Sequence, residues 1–305
     1  MIIYRELSSL SQDLGFRAQT LYAVSNRLDK HYRRVQLPKK GGGCRSLSVP
    51  DPVLKAIQRQ ITDTLLIHMP VSRFAAAYRC GSSVMHNAAP HIGKDVVLKL
   101  DILHFFDSIR YSAVKDAAFP PQIYAEPLRI LLTMLCYYRD TLPQGAPSSP
   151  AISNILLYPF DEQIGQWCAA RGIAYTRYCD DMTFSGSFDP KQVIHLAASE
   201  LSKLGFLLNT QKTRILRPGQ QQCVTGLIVN EKLSVPADLR RKVRQDLYYC
   251  QKYGIHSHLQ HLGLTIPEEQ YRQKLLGQVN YILQVMPQDP QMQAARQFLL
   301  AARRP

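Results

Sequence analysis

Two carboxylates stand side by side in the segment Thr176-Arg177-Tyr178-Cys179-Asp180-Asp181, between apolar runs that read as two short strands around a tight turn. Like charges this close disfavour each other's ionised form. A divalent cation removes that cost, and a hard ion such as Mg²⁺ takes carboxylate oxygens while leaving positions for water and substrate phosphates. One turn cannot build a two-metal site alone, so a third carboxylate must arrive from a neighbouring strand. Asp101, at the end of the apolar run VVLKLDI, is the candidate. Two ions about 3.5–4 Å apart could hold the attacking and leaving oxygens of an in-line phosphoryl transfer. The competing reading is simple turn chemistry, because Asp favours turns on its own account. The pair by itself does not decide between them.

The elements that would carry these residues can be read from hydrophobic spacing. Residues 1–30 predict short helices, with Leu10, Leu14, Leu21 and Val24 near helical period. A basic, glycine-rich stretch follows, RRVQLPKKGGGCRSLSVP, and reads as a hairpin with Lys39, Lys40 and Arg45 at its tip. Residues 53–68 predict an amphipathic helix and residues 96–102 a strand. Helices are expected over 126–138, over roughly 151–170 after the rigid turn LPQGAPSSP, and over 191–204, closed by Gly205. FLLNTQKTRIL and CVTGLIVN read as further strands. From about Pro236 the chain predicts a basic helix and a second helix near 268–285.

Composition narrows the class of partner. The 305 residues carry 37 Lys and Arg against 23 Asp and Glu, a formal charge of +14, which points to a polyanion. Apolar residues make up 46%, ordinary for a globular chain, so disorder is excluded. The seven cysteines include no C-x-x-C pair, which suits a reducing compartment and offers no zinc-knuckle spacing. No apolar run approaches the ~18 residues that a membrane span needs, and no signal peptide is visible. The expectation is a cytoplasmic protein with no membrane partner.

Six segments in order carry a family resemblance. LDILHFFDSI, LPQGAPSSPAISN, the YCDD box, GFLLNTQKT, VTGLIVN and KKGGGCRSLSVP resemble the core motifs of reverse transcriptases over about residues 35–235. The resemblance implies an RNA-directed DNA polymerase with an α+β, right-hand architecture. Residues 1–95, with a helical insertion at 118–142, would be fingers; 96–117 and 143–235 an antiparallel-sheet palm; 236–305 a small helical thumb that binds RNA. It implies that Asp101, Asp180 and Asp181, with the Ile102 carbonyl, hold two Mg²⁺ ions, for which Mn²⁺ could substitute. Lys39 or Lys40 and Arg45 would clamp the triphosphate, Gln144 and Gly145 would meet the incoming dNTP and template base, and Lys212 would protonate the leaving pyrophosphate. Phe106 stands where the family keeps a steric gate against the ribose 2′-hydroxyl. For each there is a plainer reading: a solvated hairpin tip, a core phenylalanine, an exposed lysine.

Two shorter signatures narrow the resemblance to bacterial retron reverse transcriptases. They are Asn87-Ala88-Ala89-Pro90-His91, matching N-A-x-x-H, and Val224-Thr225-Gly226, matching V-T-G. Both are expected to take part in RNA binding, together with Arg240, Arg241, Lys242 and Arg244 of the basic C-terminal helix. Residues 236–305 hold ten Lys and Arg against five Asp and Glu, and charge of this kind gives affinity that falls with salt. The resemblance implies a cognate structured noncoding RNA serving as template and primer, and a branched RNA–DNA product. It also implies an accessory effector protein and a role in antiphage defence. The alternatives are an intron- or diversity-type reverse transcriptase, an RNA-dependent RNA polymerase, or a non-catalytic RNA-binding scaffold on the same fold.

Overall fold

The computed structural model describes residues 3–38 and 42–301, which divide into two compact units. The first comprises residues 1–82 and 98–215, the second residues 83–97 and 216–305. The fold is α+β. The expected hairpin is present as β1 (Tyr32–Pro38) and β2 (Cys44–Pro50), paired antiparallel with Leu37 opposite Arg45. Lys39 and Lys40, expected at its tip, lie outside the described residues.

The central sheet of the first unit has four strands: β3 (Val96–Asp101), β4 (Ala174–Tyr178), β5 (Asp181–Gly186) and β6 (Arg214–Leu216), in the order β4-β5-β3-β6. β4 and β5 pair antiparallel with Tyr178 opposite Asp181, so Cys179 and Asp180 form a two-residue turn. Burial along these strands is nearly continuous, as fits a sheet covered on both faces. Leu98, Leu100, Tyr175, Met182 and Phe184 join a core that also takes Leu132, Ile152, Phe160 and Leu201 from flanking helices.

Several boundaries differ from the sequence expectation, each for a local reason. The helix begun by Asp51, whose carboxylate accepts from the Leu54 amide, is regular only over Pro52–Gln60; a π-turn (Ile61–Leu65) and a 3₁₀ turn (Leu66–His68) follow. The helix expected over 151–170 is two helices, Ser149–Leu156 and Tyr158–Ala169. Pro159 has no amide to donate back and its ring crowds the preceding turn, so the break falls there. FLLNTQKTRIL is mostly not strand. Leu208 bridges Ile102, Thr210–Lys212 is a 3₁₀ turn, and only Arg214–Leu216 extends the sheet.

The second unit cuts the chain differently from the fingers, palm and thumb expected above. Residues 83–95, expected with the fingers, and 96–97, expected with the palm, share a core with residues from 216 onward: Ala88 and Val97 join one cluster with Val224, Leu227, Val243, Leu275, Val279 and Leu299. Here β7 (Cys223–Val224) and β8 (Leu227–Ile228) make a short hairpin. Three helices follow: Ala237–His261, Glu268–Val285 and Pro290–Ala301. The first is longer than expected and kinks at Gly254, whose φ of 82° is left-handed. The last was not legible in the sequence pattern.

Candidate active site

The three aspartates converge in the first unit. β3 lies beside β5 in the sheet, so the strand that ends at Asp101 borders the strand that begins at Asp181. The amide of Ile102 donates to the Asp180 carbonyl at 3.1 Å, which fixes the turn against the end of β3. Burial raises the carboxyl of Asp180 above its ordinary value, and the nearby charge of Asp101 raises it further. Asp181 is raised first by burial, opposed by Lys99, and raised again by Asp180 and Asp101. The three groups therefore sense one another through a partly dehydrated space.

Two lysines hold this negative charge. Lys212 Nζ stands 2.8 Å and 3.0 Å from the two carboxylate oxygens of Asp101, and Lys99 Nζ stands 3.2 Å from Asp181 Oδ2. The 3₁₀ turn Thr210–Lys212 accounts for the first pair. Asn209 donates its amide to the Asp101 carbonyl at 2.8 Å and its side chain reaches the Asp101 carboxylate at 3.3 Å, and the turn then folds Lys212 back over the same group. The hydrogen bond to Asp101 raises the Lys212 ammonium. As the side chains stand, no group of three or more His, Cys, Asp or Glu among the described residues is gathered closely enough to hold a metal ion. The donor chemistry nonetheless fits one. Three mutually repelling carboxylates, two of them paired with lysine ammonium groups, form the kind of hard oxygen donor set that a divalent cation takes.

A buried scaffold holds the acidic turn. Cys179 has φ 60°, a conformation uncommon outside glycine. The Arg177 guanidinium donates to its carbonyl at 2.8 Å, and Tyr78 Oη meets its Sγ at 3.7 Å. Arg177 is fully buried and forked onto Asp161, with Nη2–Oδ2 at 2.6 Å and Nε–Oδ1 at 2.8 Å; it also donates to Asn154. Tyr175 Oη completes Asp161 at 2.8 Å. Sequence reasoning missed Lys99, Asn209, Asp161 and Tyr78. Lys99 had a signal, because two residues before Asp101 on a strand is the same face. The others had none, since their partners are distant in sequence.

The remaining expected residues are distributed as follows. Phe105 is core and Phe106 is half-buried beside it, with ring centroids 5.2 Å apart. The Phe106 carbonyl accepts from Leu142, tying the segment after β3 to the proline-rich turn. The Gln144 carbonyl accepts from Ser48 of β2 at 2.8 Å. Gly145 has φ 116°, and a Cβ there would stand 2.8 Å from the Ser48 carbonyl oxygen. Gly145→Ala is thus expected to cost about 1–3 kcal/mol in backbone strain, read as a lower urea midpoint; an unchanged midpoint would refute the close approach. Arg45 is exposed on β2.

In the second unit the two short signatures meet. Asn87 Nδ2 donates to Thr225 Oγ1 at 3.3 Å, and Thr225, at φ 45°, donates in turn to the Val84 carbonyl. Asn87, His91 and Val224, expected to take part in RNA binding, are all buried, at 1%, 0% and 0% exposure, where they pack the unit's interior. Burial, reinforced by the charge of Lys94, depresses the His91 imidazole to about 3, which keeps it neutral. Gly226 follows Thr225 in the same turn at φ 82°. Arg241, Lys242 and Arg244 are exposed, whereas Arg240 is half-buried with Nη1 3.8 Å from Met286 Sδ.

Comparison with known proteins identifies the family. Residues 37–266 match the family described as reverse transcriptase (RNA-dependent DNA polymerase). The retron Ec86 reverse transcriptase of Escherichia coli is 31% identical over 258 residues, covering 82% of this chain and 80% of that one. The chain belongs to the reverse transcriptase family. Within the family it falls among the retron reverse transcriptases. The retron Mx65 reverse transcriptase of Myxococcus xanthus is 34% identical over 76% of this chain, which spans 59% of that relative. The retron Ec83 reverse transcriptase of Escherichia coli is 31% identical, with 72% and 76% covered. Among solved structures, a foamy viral protease-reverse transcriptase in complex with double-stranded DNA aligns with 92% of this chain and 41% of its own. The TM-score is 0.47 and the identity 14%. No described helix is long and apolar enough to cross a membrane.

Proposed function

We propose that this chain is an RNA-directed DNA polymerase that copies part of its own structured noncoding RNA into single-stranded DNA, leaving a branched RNA–DNA hybrid. The observation that carries the reading is the meeting of Asp101, Asp180 and Asp181 at adjoining strand ends, with Lys99 and Lys212 paired to them. Asp101, Asp180, Asp181 and the Ile102 carbonyl would hold two Mg²⁺ ions, or Mn²⁺ in their place. Those ions supply charge neutralisation and a more acidic primer hydroxyl when bound. The chain's own residues do the rest. The Arg177 clamp holds the turn, and Gln144 and Gly145 present a backbone edge braced on β2 for the dNTP and template base. Arg45, with Lys39 or Lys40, grips the triphosphate from the hairpin. Lys212, released from Asp101, is placed to give a proton to the departing pyrophosphate.

In this reading the central sheet is the palm, the β1–β2 hairpin belongs to the fingers, and the C-terminal helices form an RNA-holding thumb. Arg241, Lys242 and Arg244 supply its phosphate contacts, with Gly226 in the adjoining turn. The setting is cytoplasmic, with an accessory effector protein and a part in antiphage defence, as for the retron resemblance. The direct test supplies purified protein with an RNA template, an annealed primer, dNTPs and Mg²⁺; absence of primer extension would refute the polymerase reading in favour of a non-catalytic scaffold. Phe106 supplies a finer test. Phe106→Ala should narrow the preference for dNTP over rNTP by about 10–200-fold in kcat/KM, the scale set by one apolar pocket contact. An unaltered ratio would remove the gate from Phe106.

A further inference from the structure

The first unit carries a cationic concavity that the polymerase reading does not use. An open pocket of about 700 Å³ lies between the base of the β1–β2 hairpin and the helix Pro52–Gln60. Lys30, Arg33, Lys55 and Arg59 line it, and all four are exposed. Among the described residues none of them is in a salt bridge. Asp51, the carboxylate in the same wall, is already committed. One oxygen meets His31 Nδ1 at 2.8 Å and the other accepts from the Leu54 amide at 2.8 Å.

Four cations facing one concave wall repel one another. Lys55 and Arg59 stand at i and i+4 on one helix, where like charges cost a few tenths of a kcal/mol. A concave wall also focuses the field of its charges. Such an arrangement is relieved by an anion that spans it. The charge does not stop at this pocket, because Lys30 and His31 also line an adjoining one of about 690 Å³, which adds Arg27. Five cations over two adjoining pockets exceed what one phosphate group needs and suit successive phosphates of a strand. The one aromatic side chain among the lining residues, Tyr32, is stacked on Tyr138 at 4.3 Å and its hydroxyl accepts from Gln58. Contacts made here would read the backbone and not the sequence.

We propose that Arg27, Lys30, Arg33, Lys55 and Arg59 form a second RNA-binding surface, which holds the phosphate backbone of a structured RNA and shares no lining residue with the catalytic turn. It would anchor a folded part of the RNA that is not being copied. The probe is a fluorescein-labelled RNA hairpin whose 3′ end is blocked by phosphate, titrated by anisotropy over a range of salt. Lys55→Gln/Arg59→Gln should weaken binding on the order of tenfold and reduce the slope of log Kd against log salt by about two, since each lost phosphate contact removes about 0.9. Lys30→Gln/Arg33→Gln, on other elements, should do the same, which separates the effect from damage to one helix. Extension of oligo(dT) on poly(rA) should be unchanged in both. Unaltered affinity and slope would overturn the proposal. A raised KM for dTTP with intact hairpin binding would also overturn it, by making the surface a nucleotide site. Failure of the polymerase reading would show instead as no extension by the wild-type chain, leaving the binding result standing.

Discussion

Asp180→Ala is expected to abolish DNA synthesis while the protein keeps its stability or gains some. The loss should be about a thousandfold or more, because metal-borne neutralisation of the reacting phosphate is worth several kcal/mol and each 1.36 kcal/mol is tenfold. The stability expectation follows from sign. Burial and the charge of Asp101 raise the Asp180 carboxyl, so at neutral pH its ionised form is less favourable in the folded state than in the unfolded one. Removing it relieves that penalty. RNA affinity should hold, since the variant deletes a negative charge beside a polyanion. Single-turnover extension, thermal melting and RNA titration would be run together. Synthesis retained near the wild-type rate would remove Asp180 from the chemistry, and a sharp fall in melting temperature would make its role structural.

The second large effect is expected at a residue that touches no substrate. Arg177→Met should destabilise the protein by about 3–5 kcal/mol, because Asp161 would be left buried with its cation gone. At about 2–4 °C per kcal/mol for a unit of this size, melting should fall by roughly 10 °C. Asp161→Leu added to Arg177→Met should recover part of that loss, since apolar replacement of both partners removes the stranded charge. Activity should not recover with it. The Cys179 carbonyl loses its donor in both variants, and that bond holds the left-handed turn presenting Asp180. Recovery of activity in parallel with stability would show that the clamp serves folding alone.

Much of the catalytic unit was legible in the sequence because its signals are local. The β4–β5 hairpin announces itself by two apolar runs around an acidic pair, and β3 by an apolar run ending in a carboxylate. The helix boundary at Leu157 was legible in principle, since Pro159 is written in the chain; periodicity masked it. What stayed hidden depends on contacts between distant segments. Nothing near Arg177 says that its partner is Asp161, or that Tyr78 will sit beside Cys179. The N-A-x-x-H and V-T-G signatures were found as strings, but their meeting through Asn87 and Thr225, and the burial of His91, required the fold. The strand expected from FLLNTQKTRIL starts as a ladder, with Leu208 bridging Ile102 and Asn209 donating to the Asp101 carbonyl, and is broken by the 3₁₀ turn Thr210–Lys212 that carries Lys212 to Asp101.

The make-up of the second unit has a consequence for how the chain is produced. Its residues 83–97 leave the ribosome early, yet the core they belong to takes residues as late as Leu299. At roughly 5–20 residues per second, that segment waits on the order of 10–40 s for its partners. During the wait a short apolar stretch lacks the rest of its core. Deleting the helix Pro290–Ala301 would leave that core short of Met292, Ala295 and Leu299, so such chains should be captured by chaperones and not merely be weakened enzymes.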